Sequence, residues 1–177
     1  MIAWTIFKLF LAAYILWNLI VCLLALHEYG HLWAMKRVGI RADRVVIGSK
    51  KLFTLRISGL DFEIGLIPMW GYVSSKDYER APSEKRAIVA AAGPAISLFT
   101  GIAFWLINYV HKIWLVGLLA KGSFVLVATN LIPLPPLDGW TIIEHFVVKM
   151  GVEITPRRRQ YLLGAGIAAI IIATLLV

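Results

Sequence analysis

Charge is scarce in this chain, and unevenly so. Of its 177 residues 16% are charged and 60% hydrophobic, against about 25% and 45–50% in ordinary soluble domains. Residues 9–26, 87–110 and 161–177 carry no charge, and 113–137 carry only Lys121. That patterning excludes a soluble globular domain, because a helix needs roughly 20 apolar residues to cross a bilayer. Four spans are expected, at about 2–37, 86–110, 113–137 and 160–177. Cysteine is nearly missing too. Cys22 is alone, so an intramolecular disulfide is excluded, and within span one it reads as a small buried hydrophobe. A basic segment ahead of span one is also wanting, so the N-terminus reads as a retained anchor and not a cleaved signal peptide.

Acidic residues are few: 10 against 18 lysines and arginines, for a net charge of +8. Such a balance suits nucleic acid or a membrane surface, and the distribution decides for the membrane. Basic residues gather between spans one and two, from Lys36 and Arg37 to Lys85 and Arg86, and again at Lys149 and Arg157–Arg159. The other connections offer only Lys8 and Lys112, while Lys121 either snorkels to the outer surface or marks a later start of span three. The positive-inside rule puts the basic connections in the cytoplasm and both termini outside. A nucleic-acid-binding patch has no reason to alternate between spans.

Between spans one and two the character changes. Gly39 is a stop signal for the first helix. Residues 44–74 hold short runs rich in β-branched and aromatic residues, with Ser58-Gly59 as a turn signal between the last two, which predicts a hairpin or small sheet. Pro68 confines the end of its strand to an edge or a bulge. Residues 75–86 are polar and charged and read as a surface loop.

What is present, near the end of span one, is His27-Glu28-Tyr29-Gly30-His31. On a helix, positions i and i+4 share a face, so both histidines can each give one nitrogen to a single Zn²⁺, with Glu28 on the flank of that face as a general base. Intramembrane ionisable groups are costly, and three side by side need a common reason. Packing histidines or a proton pathway explain them one at a time but not together. A catalytic zinc typically takes three protein ligands and lowers the pKa of water in its open position.

His111, His145, Glu144 and Asp138 are the candidates for the third ligand. Asp138 stands out through Asn130-Leu131-Ile132-Pro133-Leu134-Pro135-Pro136-Leu137-Asp138-Gly139. Three prolines must interrupt span three, and non-helical backbone at membrane depth is tolerated only where protein buries it or a cavity adjoins it. As a mere N-cap of a helix over 140–150, Asp138 is explained, but the prolines are not. Two neutral histidines and one carboxylate leave a zinc site at net +1, cheaper to desolvate than a bare divalent ion.

The His27-Glu28-x-x-His31 motif together with Asn130-x-x-Pro133-x-Pro135-x-x-Asp138-Gly139 resembles the paired signature of the site-2 protease family of intramembrane zinc metalloproteases. Gly93-Pro94-Ala95-Ile96-Ser97 looks like that family's small-residue motif, and Ile67-Pro68-Met69-Trp70-Gly71-Tyr72-Val73 like the segment after the bacterial members' β-hairpin. The resemblance runs the length of the chain. It implies an α-helical integral membrane protein, a single domain over 1–177 of about four transmembrane helices with a small membrane-associated β-hairpin. It further implies one Zn²⁺ held by His27, His31 and Asp138, Glu28 as the base, and Asn130 as a substrate or transition-state contact. The implied activity is cleavage in or near a transmembrane helix of a membrane-protein substrate, as in regulated intramembrane proteolysis, in a prokaryotic plasma membrane. One departure is plain: no PDZ-like insert separates spans two and three and no regulatory domain follows span four, so selection by such a domain is not expected.

Several residues read two ways. Asn130 either polarises a scissile carbonyl or satisfies carbonyls freed by Pro133. Gly30 opens room for substrate or for a neighbouring helix, and Gly93 and Ser97 read as close-packing residues of the substrate region. Asn18 reads as an interhelical contact. The 44–74 segment either holds an extended substrate by β-addition or is a structural hairpin. Two other functions remain on the residues alone: an inactive relative that binds membrane helices as a chaperone, which intact Glu28 disfavours, and a metal or proton transporter, which should carry polar groups along a whole path.

Overall fold

A computed structural model describes residues 2–175; residues 176–177, the end of the expected fourth span, lie outside the described residues. The fold is mostly helical, with one small antiparallel sheet. Helix α1 (Ile2–Val38) is 37 residues long. It ends at Gly39, whose φ of 75° is the left-handed turn that lets the Ile40 N–H donate to the Met35 carbonyl at 2.9 Å. Its N-terminal half is apolar but for Lys8 and mostly exposed, and burial begins only at Leu23. Two expectations fail on that half. Cys22 is exposed and not buried, and Asn18 donates to the Tyr14 carbonyl of its own helix at 2.8 Å in place of an interhelical bond.

Strands β1 (Arg44–Ile57) and β2 (Leu60–Ser74) follow. Ser58 and Gly59 join them with φ of 51° and 83°, the left-handed pair that a two-residue hairpin of matching twist requires. The tip pairs simply, Phe53 with Ile64 through Ile57 with Leu60. Nearer the helices, Arg44–Ile47 is paired on both sides, against Asp61–Ile64 and against Gly71–Ser74. Pro68 therefore does not close its strand. It lies in the irregular stretch between Ile67, paired with Ser49, and Gly71, paired with Ile47, where the strand changes partner and a missing N–H costs little. The sheet lies along α1, with the Trp17 indole donating to the Leu66 carbonyl at 2.7 Å.

Helix α2 (Ser83–His111) starts inside the expected surface loop, and Arg86 at its first turn is only 5% exposed. An arginine in a polar run reads as solvated, and its buried partner Glu144 is 58 residues away. Helix α3 (Trp114–Asn130) ends well short of 137, cut where Pro133, Pro135 and Pro136 remove helical donors. Lys121 is exposed in the middle of this helix and not at its start. Helices α4 (Asp138–Lys149) and α5 (Pro156–Leu175) complete the chain. Among the described residues, α1 and α2 are the helices long and apolar enough to cross a membrane, while α3, at 17 residues, is shorter.

Helices α1 and α2 approach closely where Gly30 faces α2: a Cβ there would lie 2.5 Å from the Ala92 carbonyl oxygen. That settles Gly30 as a helix-packing residue. A small core of Ala34, Met35, Ile40 and Val89 joins the ends of α1 and α2, with Val73 and Tyr78 against it.

Candidate metal centre

The close approach of α1 and α2 builds the site. His27 and His31 are four apart on α1, and across from them Val89, Gly93 and Ser97 repeat at the same spacing on α2. Both histidines are buried, His27 to 3% exposure. His31 Nδ1 lies 2.8 Å from the Val89 carbonyl oxygen. A carbonyl only accepts, so Nδ1 carries the proton and Nε2 presents a lone pair. His27 Nδ1 lies 3.0 Å from Ser97 Oγ, whose hydroxyl can accept from Nδ1–H and so leave Nε2 its lone pair. Gly93 makes room for both rings: a Cβ there would collide with His31 and reach within 2.9 Å of His27 Cε1.

The proline-bearing loop after α3 delivers Asp138. Asp138 forms no N-cap bond, since the cap position is Leu137 and no side chain caps α4. Instead Asp138 Oδ2 sits 3.2 Å from His27 Nε2 and 3.3 Å from His31 Nε2, and the two nitrogens are 3.2 Å apart. Three lone-pair-bearing atoms converging at such separations repel one another unless a cation lies among them. Oδ2 is buried and takes no hydrogen bond. A tetrahedral ion with bonds of about 2.0–2.1 Å needs donors about 3.3 Å apart. The triangle fits, and among the described residues these three form the one group of histidine, cysteine and carboxylate side chains that could hold a metal ion.

Glu28 is 3% exposed, and its Oε2 has no hydrogen-bond partner. The backbone of β2 crosses directly over it, for a Cβ on Gly71 would lie 2.6 Å from Oε1. Together these groups line a cavity of about 730 Å³, walled by Met69–Val73 of β2, Asn130, the proline loop, Trp140 and Thr141. Asn130 lines this cavity while its amide donates to the Leu126 carbonyl at 2.9 Å. Burial pushes the Tyr78 phenol, in the wall, up to about 12, so it stays a neutral donor at physiological pH.

The other third-ligand candidates go elsewhere. His111 closes the far end of α2, and His145 pairs with Ser83 Oγ at 3.1 Å. Glu144, 2% exposed, bridges Arg86 and Arg159 at 2.6 Å each, while Arg159 also reaches Glu79 at 2.7 Å. This cluster ties α2, α4, α5 and the 75–82 loop together beside the cavity. Sequence reasoning missed it, and missed Ser97 as a partner of His27. The available signal was the spacing of Gly93 and Ser97, which matches that of the two histidines.

Comparison with known proteins agrees with this geometry. Residues 15–115 match the model of Peptidase family M50. The Regulator of sigma-E protease RseP of Salmonella typhimurium is 34% identical over 116 residues, covering 52% of this chain and 26% of that protein. A putative zinc metalloprotease of Vibrio cholerae is 33% identical with the same coverage. This chain thus spans about a quarter of the length of the curated relatives it matches. Among solved structures, the site-2 protease from Methanocaldococcus jannaschii aligns with a TM-score of 0.69 and 22% identity, over 92% of this chain and 66% of that one; this likeness is one of fold. Since the matched segment takes in both histidines, the helix facing them and more than half of the chain, this chain belongs to Peptidase family M50.

Proposed function

We propose that this chain is a zinc-dependent intramembrane endopeptidase that hydrolyses a peptide bond in or near a transmembrane helix of a membrane-protein substrate. The observation that carries the reading is the triangle of His27 Nε2, His31 Nε2 and Asp138 Oδ2, with the unpartnered Glu28 Oε2 beside it in one cavity. His27, His31 and Asp138 hold the ion. When bound, zinc supplies a Lewis acid that acidifies water and polarises a carbonyl. Glu28 accepts a proton from water at Oε2 and returns it to the leaving amine nitrogen. Ser97 and the Val89 carbonyl hold the imidazoles in the tautomer that ligation needs, and Gly93 keeps their volume clear. Asn130, on the cavity wall, is the substrate contact once its amide leaves the Leu126 carbonyl.

A peptide bond inside a helix is shielded by its own hydrogen bonds, so the substrate must be held extended. Gly71–Ser74 is paired on one side by Arg44–Ile47, and Gly71–Val73 also line the cavity. We infer that an unwound substrate segment adds to the free side of this strand. The whole chain acts as one domain, with α3 and α5 completing four spans where the bilayer thins around the shorter helix. By the positive-inside rule the basic connections support a site towards the cytoplasm with both termini outside. A chaperone role is disfavoured because Glu28 is buried at the ion site, and a transporter because the polar groups gather at one depth.

Purified protein in liposomes with co-reconstituted single-span membrane proteins tests the reading. Cleavage should stop with phenanthroline and return with added zinc. Cleavage indifferent to the chelator would overturn it.

A further inference from the structure

Helix α5 is exposed along most of its length, and among its described residues Gly166 is the one that is buried. Arg159, Leu163 and Gly166 share one face of this helix, at i, i+4 and i+7. Arg159 binds Glu144 and Glu79, and together with Leu163 it lines the cavity of the metal centre. At Gly166 the helix meets the loop that delivers Asp138. A Cβ on Gly166 would collide with the Pro135 carbonyl oxygen, and would lie 2.8 Å from the carbonyl carbon and 3.1 Å from Pro135 Cβ. Two residues earlier, a Cβ on Gly164 would meet open space.

Pro135 stands three residues before Asp138, and the chain between them has little slack. The rings of Pro135 and Pro136 fix φ at both residues. The Leu137 N–H donates to the Leu134 carbonyl at 2.8 Å. Just beyond Asp138, a Cβ on Gly139 would collide with the Leu131 carbonyl oxygen and lie 2.6 Å from that of Ile132, so the start of α4 is pressed against the same loop. A loop this stiff passes a displacement of Pro135 on to Asp138. The tolerance at the far end is small, because Asp138 Oδ2 faces two imidazole nitrogens at 3.2 and 3.3 Å and metal bonds hold to within about 0.2 Å. We propose that Gly166 is a positioning residue for the metal centre: by letting α5 lie directly against Pro135, it sets where Asp138 Oδ2 stands. Gly166 touches neither ion nor substrate and acts through the ligand. This deepens the reading of the site as a metal centre and rests on it.

Cobalt(II) is titrated into metal-free protein in detergent micelles, since its visible absorption reports ligand geometry where zinc is silent. Wild type is compared with Gly166→Ala and Gly164→Ala. Both substitutions add the same methyl group and the same gain in helix propensity to α5, but only the first reaches the loop. Gly164→Ala should match wild type in affinity and spectrum. Gly166→Ala should bind cobalt roughly tenfold to a hundredfold more weakly, the scale of contacts that hold a metal ligand in place, with its visible bands shifted. Wild-type affinity and bands in Gly166→Ala would mean that α5 yields while Asp138 stays, and would overturn the proposal; an equal loss in both variants overturns it too. Those outcomes leave the metal centre standing, whereas a wild type that takes up no cobalt overturns the metal centre and the proposal with it. Neither outcome depends on turnover, so absent hydrolysis with the metal bound would count against the endopeptidase reading alone. Should Gly166→Ala not fold, hydrogen exchange is read on wild type with and without zinc. Coupling between α5 and the ion is reciprocal, so zinc should slow exchange of the amides at 163–170 and leave those at 114–120 unchanged. Equal exchange at 163–170 in both conditions overturns the proposal.

Discussion

Ser97 Oγ lies 3.0 Å from His27 Nδ1, across 70 residues of sequence, and this contact determines which nitrogen His27 turns towards Asp138. Ser97→Ala removes the hydrogen-bond partner and leaves the ring free to rotate or switch tautomer. Such outer contacts are worth roughly 10–100-fold in metal affinity. Competition with a fluorescent zinc chelator should show a weakening in that range, with thermal stability little altered.

The passage of β2 over Glu28 makes a different prediction. A Cβ on Gly71 would lie 2.6 Å from Glu28 Oε1, so Gly71→Ala must push the carboxylate off its position. The three ligands are untouched. Zinc content should stay near one per chain while cleavage falls by about two orders of magnitude, the scale of a lost general base. Gly93→Ala should do the reverse, losing zinc first, because its Cβ strikes the His31 ring.

Glu144 is buried between Arg86 and Arg159 at 2.6 Å from each. Glu144→Gln leaves buried Arg86 with only the Glu79 carboxylate at 3.9 Å for counter-charge, while Arg159 keeps Glu79 at 2.7 Å, and breaking a buried pair from one side costs about 3–5 kcal/mol. The expected result is a markedly lower melting temperature in detergent, at any zinc concentration. Since Glu144 is not a ligand in this account, the surviving folded fraction should still bind zinc at wild-type affinity.

Each ligand can be tested for its share of the ion. Asp138→Ala removes the carboxylate that two imidazoles face at 3.2 and 3.3 Å. Elemental analysis should find His27→Ala, His31→Ala and Asp138→Ala each depleted of zinc, and His145→Ala fully loaded, because His145 is held by Ser83.

Much of this was legible in the sequence because local rules wrote it. The i, i+4 spacing of His27 and His31 needs only helical geometry, and Ser58-Gly59 needs only turn chemistry. Three prolines in an apolar run told that α3 must break ahead of Asp138. What stayed hidden depends on which distant segments meet. Arg86 reads as a solvated charge until Glu144 and Arg159 are brought beside it. Pro68 reads as the end of a strand until Arg44–Ile47 takes a second partner. Ser97 reads in the sequence only as a packing residue and Gly71 only as part of the Ile67–Val73 segment, and it is the crossing of α2 and β2 over α1 that gives them work.

The central claim is that Glu28 acts on water beside an ion it does not hold. The most direct test measures zinc stoichiometry and cleavage together for wild type and Glu28→Gln, each co-expressed with a panel of single-span membrane proteins. The account predicts one zinc per chain in both proteins and cleavage products with wild type alone. Cleavage by Glu28→Gln at the wild-type rate, or loss of its zinc, would contradict it.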